Sequence, residues 1–325
     1  MKIEQRILNE AVGSKQKIIR FVSKNLEESP KSKKYIIDSL NSNLELCEKT
    51  YLFNQVAKSY NLKSNETFPI SISSELLMQA AFISDDVFDN NLTRNDKKNL
   101  FCLYGKNNAI LISTILYGLY FKIISSTTNQ NIRELLVDAY LKLNYGQFLT
   151  ENFNDYSKLN LQILDQIAFL KCGKLMSNSA SIPAIIADEK KSIINKLSNY
   201  GKLIGIALQY RDDIVEFMPS EYSLGKPSFQ DLENHQPNLV LYFLYQELSS
   251  IKKNKMINQL FIDTIRKYIT NQNKLNKFNP YKNAIKRSKK LLDKICLKAI
   301  AIIRSLPTNF HRAPLIQFAK LLSNV

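Results

Sequence analysis

Apolar residues recur at intervals of three and four through most of the chain, and no stretch of about ten residues alternates apolar and polar as a half-buried strand does. The pattern therefore predicts helix nearly throughout. It breaks at polar or proline-containing joints near 27–31, 61–69, 125–131, 152–160, 219–237, 271–280 and 307–311. None of these resembles an interdomain linker, so residues 1–325 are expected to form one all-α domain. The longest apolar stretch, 109–121, falls short of the ~18 residues of a membrane span and is interrupted by Ser113 and Thr114. It reads as a buried helix. The first residues, Met1 to Arg6, have mixed charge and lack the apolar core of a signal peptide.

Two segments depart from ordinary amphipathic helix. From Pro69 the chain is apolar for two turns and then becomes acidic at Asp85-Asp86-Val87-Phe88-Asp89; Leu203 to Glu216 repeats that plan and ends in Asp212-Asp213-Ile214-Val215-Glu216. The first aspartates are 212 − 85 = 127 positions apart, a weak internal repeat. Residues four apart share a helix face, so Asp85 projects with Asp89 and Asp212 with Glu216, while Asp86 is rotated by about 100°. Like charges at this spacing cost helix stability and call for a cation. Mg²⁺ fits, because it takes one or two carboxylates and keeps its other positions for water and phosphate oxygens, an arrangement suited to diphosphate chemistry. One acidic helix end could be a solvated patch; two, each directly behind an apolar run, are poorly explained that way. A basic complement exists in Arg94, in Lys171 on the apolar run Ile167 to Gly173, and in Lys226 after the second acidic segment. A lysine on an apolar helix is costly unless it meets an anion or snorkels at the core edge.

Composition narrows the partners. The chain has 45 Lys+Arg against 29 Asp+Glu, a net charge of +16, which favours nucleic acid, anionic membrane or phosphorylated small molecules. The basic residues are spread without a basic tail or a recognisable nucleic-acid module, so nucleic acid is not expected. Four scattered cysteines and two histidines give neither a zinc site nor a disulfide framework, and a reducing, cytoplasmic compartment is expected.

Taken in order, these residues resemble the trans-isoprenyl diphosphate synthase, or polyprenyl synthetase, family over roughly 70–325. Asp85 to Asp89 with Arg94 matches its first aspartate-rich motif and Gly205 to Glu216 its second. Leu224-Gly225-Lys226-Pro227 with Asp231-Leu232 resembles the loop that follows, Lys171-Cys172-Gly173 a Lys-Thr-Gly element, and Gly146-Gln147 the helix signal before it. The resemblance implies a bundle of long helices around a central cavity, in a homodimer. It assigns a Mg²⁺ cluster to Asp85, Asp89 and Asp212, supported by Asp86, Asp213 and Glu216. Arg94, Lys171, Gln209 and Lys226 would bind an allylic diphosphate, with Asp85, Asp89, Asp212 and Lys171 as the catalytic set. Isopentenyl diphosphate would then attack the allylic cation. A basic surface and an apolar product are also compatible with peripheral membrane contact.

The acceptor side departs from the family pattern. A Gly-Lys-Arg element is expected upstream, where Ser32-Lys33-Lys34 is the candidate; Met78 and Asn95 stand where a histidine and an arginine are usual, and Ser84 replaces another histidine. Small residues at Ala80 and Ala81, one turn below Asp85, would leave the tunnel open for geranylgeranyl or longer chains, unless Leu77 or Phe82 plugs it. Three readings follow: elongation with isopentenyl diphosphate, the same ionisation with another fate such as cyclisation or transfer to a different acceptor, and a non-catalytic partner of an active synthase.

Overall fold

A computed structural model describes residues 2–26, 30–43, 47–94, 97–218, 228–252, 258–270, 272–308 and 310–325. Lys226 and Asn95 lie outside the described residues. The chain runs through α1 (Lys2–Asn25), α2 (Pro30–Asn43), α3 (Glu48–Ser59), α4 (Ser64–Phe88), α5 (Leu100–Tyr104), α6 (Lys106–Ser126), α7 (Gln130–Glu151) and α8 (Leu161–Ala168). A π-helical turn, Phe169–Gly173, leads into α9 (Lys174–Ile186) and α10 (Lys191–Glu216). Then follow α11 (Gln230–Glu233), α12 (Leu239–Lys252), α13 (Asn258–Ile269), α14 (Gln272–Lys277), α15 (Asn279–Arg304) and α16 (Arg312–Ser323). Strand pairing among the described residues is confined to Thr93–Arg94 against Lys97–Lys98.

The fold is all-α, as its pattern predicts. The polar joints cap the helices: Asn129 and Asn160 accept hydrogen bonds from the backbone N–H of Ile132 and Ile163, satisfying donors that the first turn leaves open. One boundary differs. The joint expected at 61–69 ends at Ser64, and Pro69 lies inside α4 in its second turn, so its ring disturbs only the start of a long helix.

α10 runs through the largest apolar cluster, packed against α9, α12 and α15, while α4 packs on α6 and α3 on α9. At Gly205 a side chain would put its Cβ 2.5 Å from Gly173 Cα. The missing side chain lets α10 cross the π turn backbone to backbone, which fixes the second acidic segment relative to Lys171. α6, expected to be buried, is so on one face only. Ile110, Leu111 and Phe121 face outward, and α7 beside it exposes Val137, Leu141 and Phe148.

Candidate active site

α4 and α10 bring their acidic ends to one cavity of about 440 Å³. Asp85 and Asp89 line it from α4, and Asp212, Asp213 and Glu216 from α10. The four-residue spacing thus puts the expected carboxylates on common ground. Asp89 sits just past the helical end of α4, and its Oδ1 accepts hydrogen bonds from Asn234 Nδ2 at 3.0 Å and Gln236 Nε2 at 3.1 Å. Burial, then the neighbouring Asp85 and Glu151, raise the Asp89 carboxyl to about 6, with Lys171 opposing the rise.

The remaining acids differ in their duties. Asp213 Oδ1 accepts from Gln209 Nε2 at 2.9 Å, and its Oδ2 caps the first N–H of α12, at Leu239, also at 2.9 Å. Burial, reinforced by Asp231, pushes its carboxyl well above the usual range. Glu216 Oε1 accepts from the backbone N–H of Asp231 at 2.7 Å. Both therefore hold later helices against the end of α10, Glu216 at α11 and Asp213 at the start of α12. Asp231, which also lines the cavity, is tied by Asn238 at 2.8 Å.

Asp86, expected among the metal ligands, is absent from the cavity wall. It is buried, and its Oδ1 takes two hydrogen bonds from Arg94, at 2.8 and 3.1 Å. The cause is the 100° rotation per residue, which turns Asp86 away from the face shared by Asp85 and Asp89. Arg94 reaches the cavity edge, but Nε and Nη2 are committed to Asp86 and the guanidinium stacks on the Phe82 ring at 4.5 Å. A phosphate there would meet an arginine whose orientation is already set.

Lys171 enters from the π-helical turn, which the apolar pattern reads as ordinary helix. Such turns are local departures from the helical hydrogen-bond ladder that recur at functional sites. α7 crosses here at Gly146, where a Cβ would lie 2.8 Å from Lys171 Cγ, so that glycine makes room for the lysine stem. Cys172 next to it donates to Gln209 Oε1 at 3.5 Å. Burial pushes its thiol up to about 12, which removes it as a nucleophile near neutral pH.

Two further expectations are corrected. Ala80 lies outside the cavity, fully buried, with its carbonyl accepting from Ser113 Oγ at 2.7 Å where α4 meets α6. Ala81, in register with Asp85, does line the cavity, together with Met78, Phe82, Leu143, Met176 and Leu208. Phe82 is therefore in the wall, whereas Leu77 is buried outside it. Lys33 and Lys34 sit on α2 and do not line the cavity.

The upstream cation at the cavity is instead Lys49, near the start of α3. Its Nζ lies 3.7 Å from Glu75 Oε2 and 3.6 Å from Glu48 Oε2, and Glu75 Oε1 accepts from the backbone N–H of Lys49 and Thr50 at 2.8 and 3.2 Å. Glu75 thus caps α3 from α4 while neutralising its lysine. Burial alone would lower the Lys49 pKa, but Glu75 and Glu48 outweigh it and hold the ammonium charged.

Among the described residues, no three His, Cys, Asp or Glu side chains converge closely enough to hold a metal ion by themselves. The donor set still suits Mg²⁺. Asp85 and Asp89 face the cavity from α4 and Asp212 from α10, with Asp213 and Glu216 engaged by the protein, and Mg²⁺ is bound by one or two carboxylates when substrate phosphates complete its shell.

The fold and site are those of an all-helical bundle in which two acidic helix ends, a lysine and apolar side chains line one cavity. The chain belongs to the polyprenyl synthetase family, whose profile it matches over residues 49–272. That match begins at Lys49 and leaves out Lys33 and Lys34. The chain is 27% identical over 209 residues to a short chain isoprenyl diphosphate synthase of Methanocaldococcus jannaschii, covering 62% of this chain and 64% of the relative. It is 25% identical over 248 residues to the decaprenyl-diphosphate synthase of Dictyostelium discoideum, covering 76% and 52%. The matched region therefore spans between half and two thirds of these curated relatives. The solved structure of a polyprenyl synthase from Caulobacter crescentus, complexed with calcium and isoprenyl diphosphate, superposes with a TM-score of 0.81 at 17% identity over 99% of this chain and 97% of its own. At that identity the likeness is one of fold.

Proposed function

We propose that the protein is a prenyltransferase that ionises an allylic diphosphate with the help of Mg²⁺ and joins the allylic group to isopentenyl diphosphate. The observation supporting this is the meeting of Asp85, Asp89 and Asp212 with Lys171 on one cavity that Ala81, Leu143, Met176 and Leu208 also line. The three aspartates would hold the metal, and Lys171 and Arg94 the diphosphate oxygens. When bound, Mg²⁺ neutralises charge developing on the departing diphosphate. Lys171, partly buried on the cavity wall, would add a positive charge beside the diphosphate oxygens. The isoprenoid tail would lie along Ala81, Leu143, Met176 and Leu208, and the small Ala81 favours geranylgeranyl or longer products. Neither histidine lines the cavity. The released diphosphate would take the proton from the condensed product.

Purified protein with Mg²⁺ and farnesyl diphosphate should give longer diphosphates only when isopentenyl diphosphate is added, and none with EDTA. Hydrocarbons or alcohols formed from farnesyl diphosphate alone would replace elongation with a second reading, in which the cation cyclises or meets another acceptor. That reading is favoured by Lys49, whose charge is engaged by Glu48 and Glu75, and by Met78 on the same cavity. Turnover of neither would leave a binding role.

The outward apolar faces of α6 and α7 support a homodimer. Leu111 is 60% exposed and Phe148 65%, and a Cβ added to Gly118 on α6 would meet nothing within 4 Å. Monomers seldom leave this much contiguous apolar surface in water. Light scattering should give twice the chain mass, and Leu111→Glu with Leu141→Glu should give monomers. A wild-type monomer at micromolar concentration would overturn the pairing.

A further inference from the structure

The positive charge is concentrated toward the C-terminal end of the sequence. Residues 271–325 carry twelve Lys and Arg and one acid, Asp293, so +11 of the net +16 belongs to the last sixth of the chain. None of these residues lines the cavity. The excess concentrates on α15, where Lys282, Lys286, Lys290, Lys294 and Lys298 recur at every fourth residue and all five are exposed.

Each step of four residues advances about 6 Å and rotates about 40°, so the row runs for about 24 Å and covers roughly half the helix circumference. Among the described residues none of the five forms an ion pair; the nearby Arg287 is paired with Glu247 at 2.8 Å. Like charges at this spacing destabilise a helix, and Asp293, the one acid on α15, forms an ion pair with none of them. Leu297 lies in the same angular sector, at the C-terminal end of the row, and is 66% exposed. The opposite face of α15 is held against α10, α12 and α16, so the row is fixed on a rigid element.

We infer that this face of α15 docks the protein on an anionic lipid surface. A bilayer fits better than nucleic acid on two counts. The unpaired row contains lysine and no arginine or aromatic side chain, whereas phosphate forks and base stacking draw on those. Lysine stems also lie along a headgroup layer with their ammonium groups at phosphate level, which lets Leu297, beside the last of them, enter the interface. The inference does not depend on the reaction proposed for the cavity, and binding is measured without turnover.

Sedimentation with vesicles of phosphatidylcholine, with and without phosphatidylglycerol, tests it. Wild-type protein should bind only the anionic vesicles, and less as salt rises. Lys286→Gln, Lys290→Gln and Lys294→Gln together should lower partitioning on the order of 100-fold. A control of equal charge change, Lys63→Gln, Lys158→Gln and Lys190→Gln, should keep most of it. Equal loss in both triple variants would reduce the effect to net charge and overturn the site. So would equal binding to neutral vesicles, no binding to either kind, or displacement from anionic vesicles by duplex RNA at equal phosphate concentration.

Discussion

Asp212→Ala should lower Mg²⁺-dependent turnover of an allylic diphosphate by about 10³-fold or more, and Asp85→Ala by a similar factor. The two carboxylates reach one cavity from α10 and α4. With no preformed cluster of three acids among the described residues, each metal ion would depend on one or two of them and on substrate oxygens, so neither aspartate has a substitute. Because the pair works as a unit, the double variant should be little worse than either single one. For Asp85→Ala, loss of folding would not be the cause. Asp85 is one of the charges that raise the Asp89 carboxyl, so without metal Asp85→Ala should be at least as resistant to heat as wild type. Single-turnover assays beside thermal melts separate the two effects, and full activity in either single variant would sink the metal assignment.

What the sequence makes legible is whatever depends on helical spacing. Asp85 and Asp89 come together on the cavity because they are four apart, and Ala81 joins them because it is four before Asp85. The same rule places Asp86 and Ala80 elsewhere, and applied residue by residue it would have kept both out of the site. Contacts that close over long stretches of chain are not legible this way. Asn234 and Gln236 grip Asp89 across 145 and 147 residues, and no local pattern announces them. Lys49 was within reach, since it precedes the apolar Tyr51-Leu52-Phe53 much as Lys171 interrupts its own apolar run. Glu75, a lone acid between Ile72 and Met78, was a matching signal. The outward face of α6 was hidden for a different reason. A helix buried by its own chain and one that would be buried by a second copy have the same composition.

Glu75→Ala should destabilise the protein by about 3–5 kcal/mol, the cost of leaving a buried charge without its partner. The Lys49 and Glu75 side chains are 9% and 2% exposed, and the variant also strips two backbone N–H groups at the start of α3 of their acceptor. Glu75→Gln keeps an oxygen for those N–H groups and should lose less. Lys49→Met combined with Glu75→Gln should recover most of the deficit, because both charges are then gone and the cap remains. Urea unfolding of the three variants checks this order; a cost below about 1 kcal/mol for Glu75→Ala would show that the pair does not hold α3 on α4. The same variants probe the acceptor. If Lys49 binds the second diphosphate during elongation, Lys49→Met should raise the KM for isopentenyl diphosphate by roughly 10- to 100-fold and leave that of the allylic substrate unchanged. Glu75→Gln, by releasing the ammonium from one of its two acids, should lower it. A KM indifferent to both changes would mean that Lys49 serves only to anchor α3, and would favour an acceptor that carries no diphosphate.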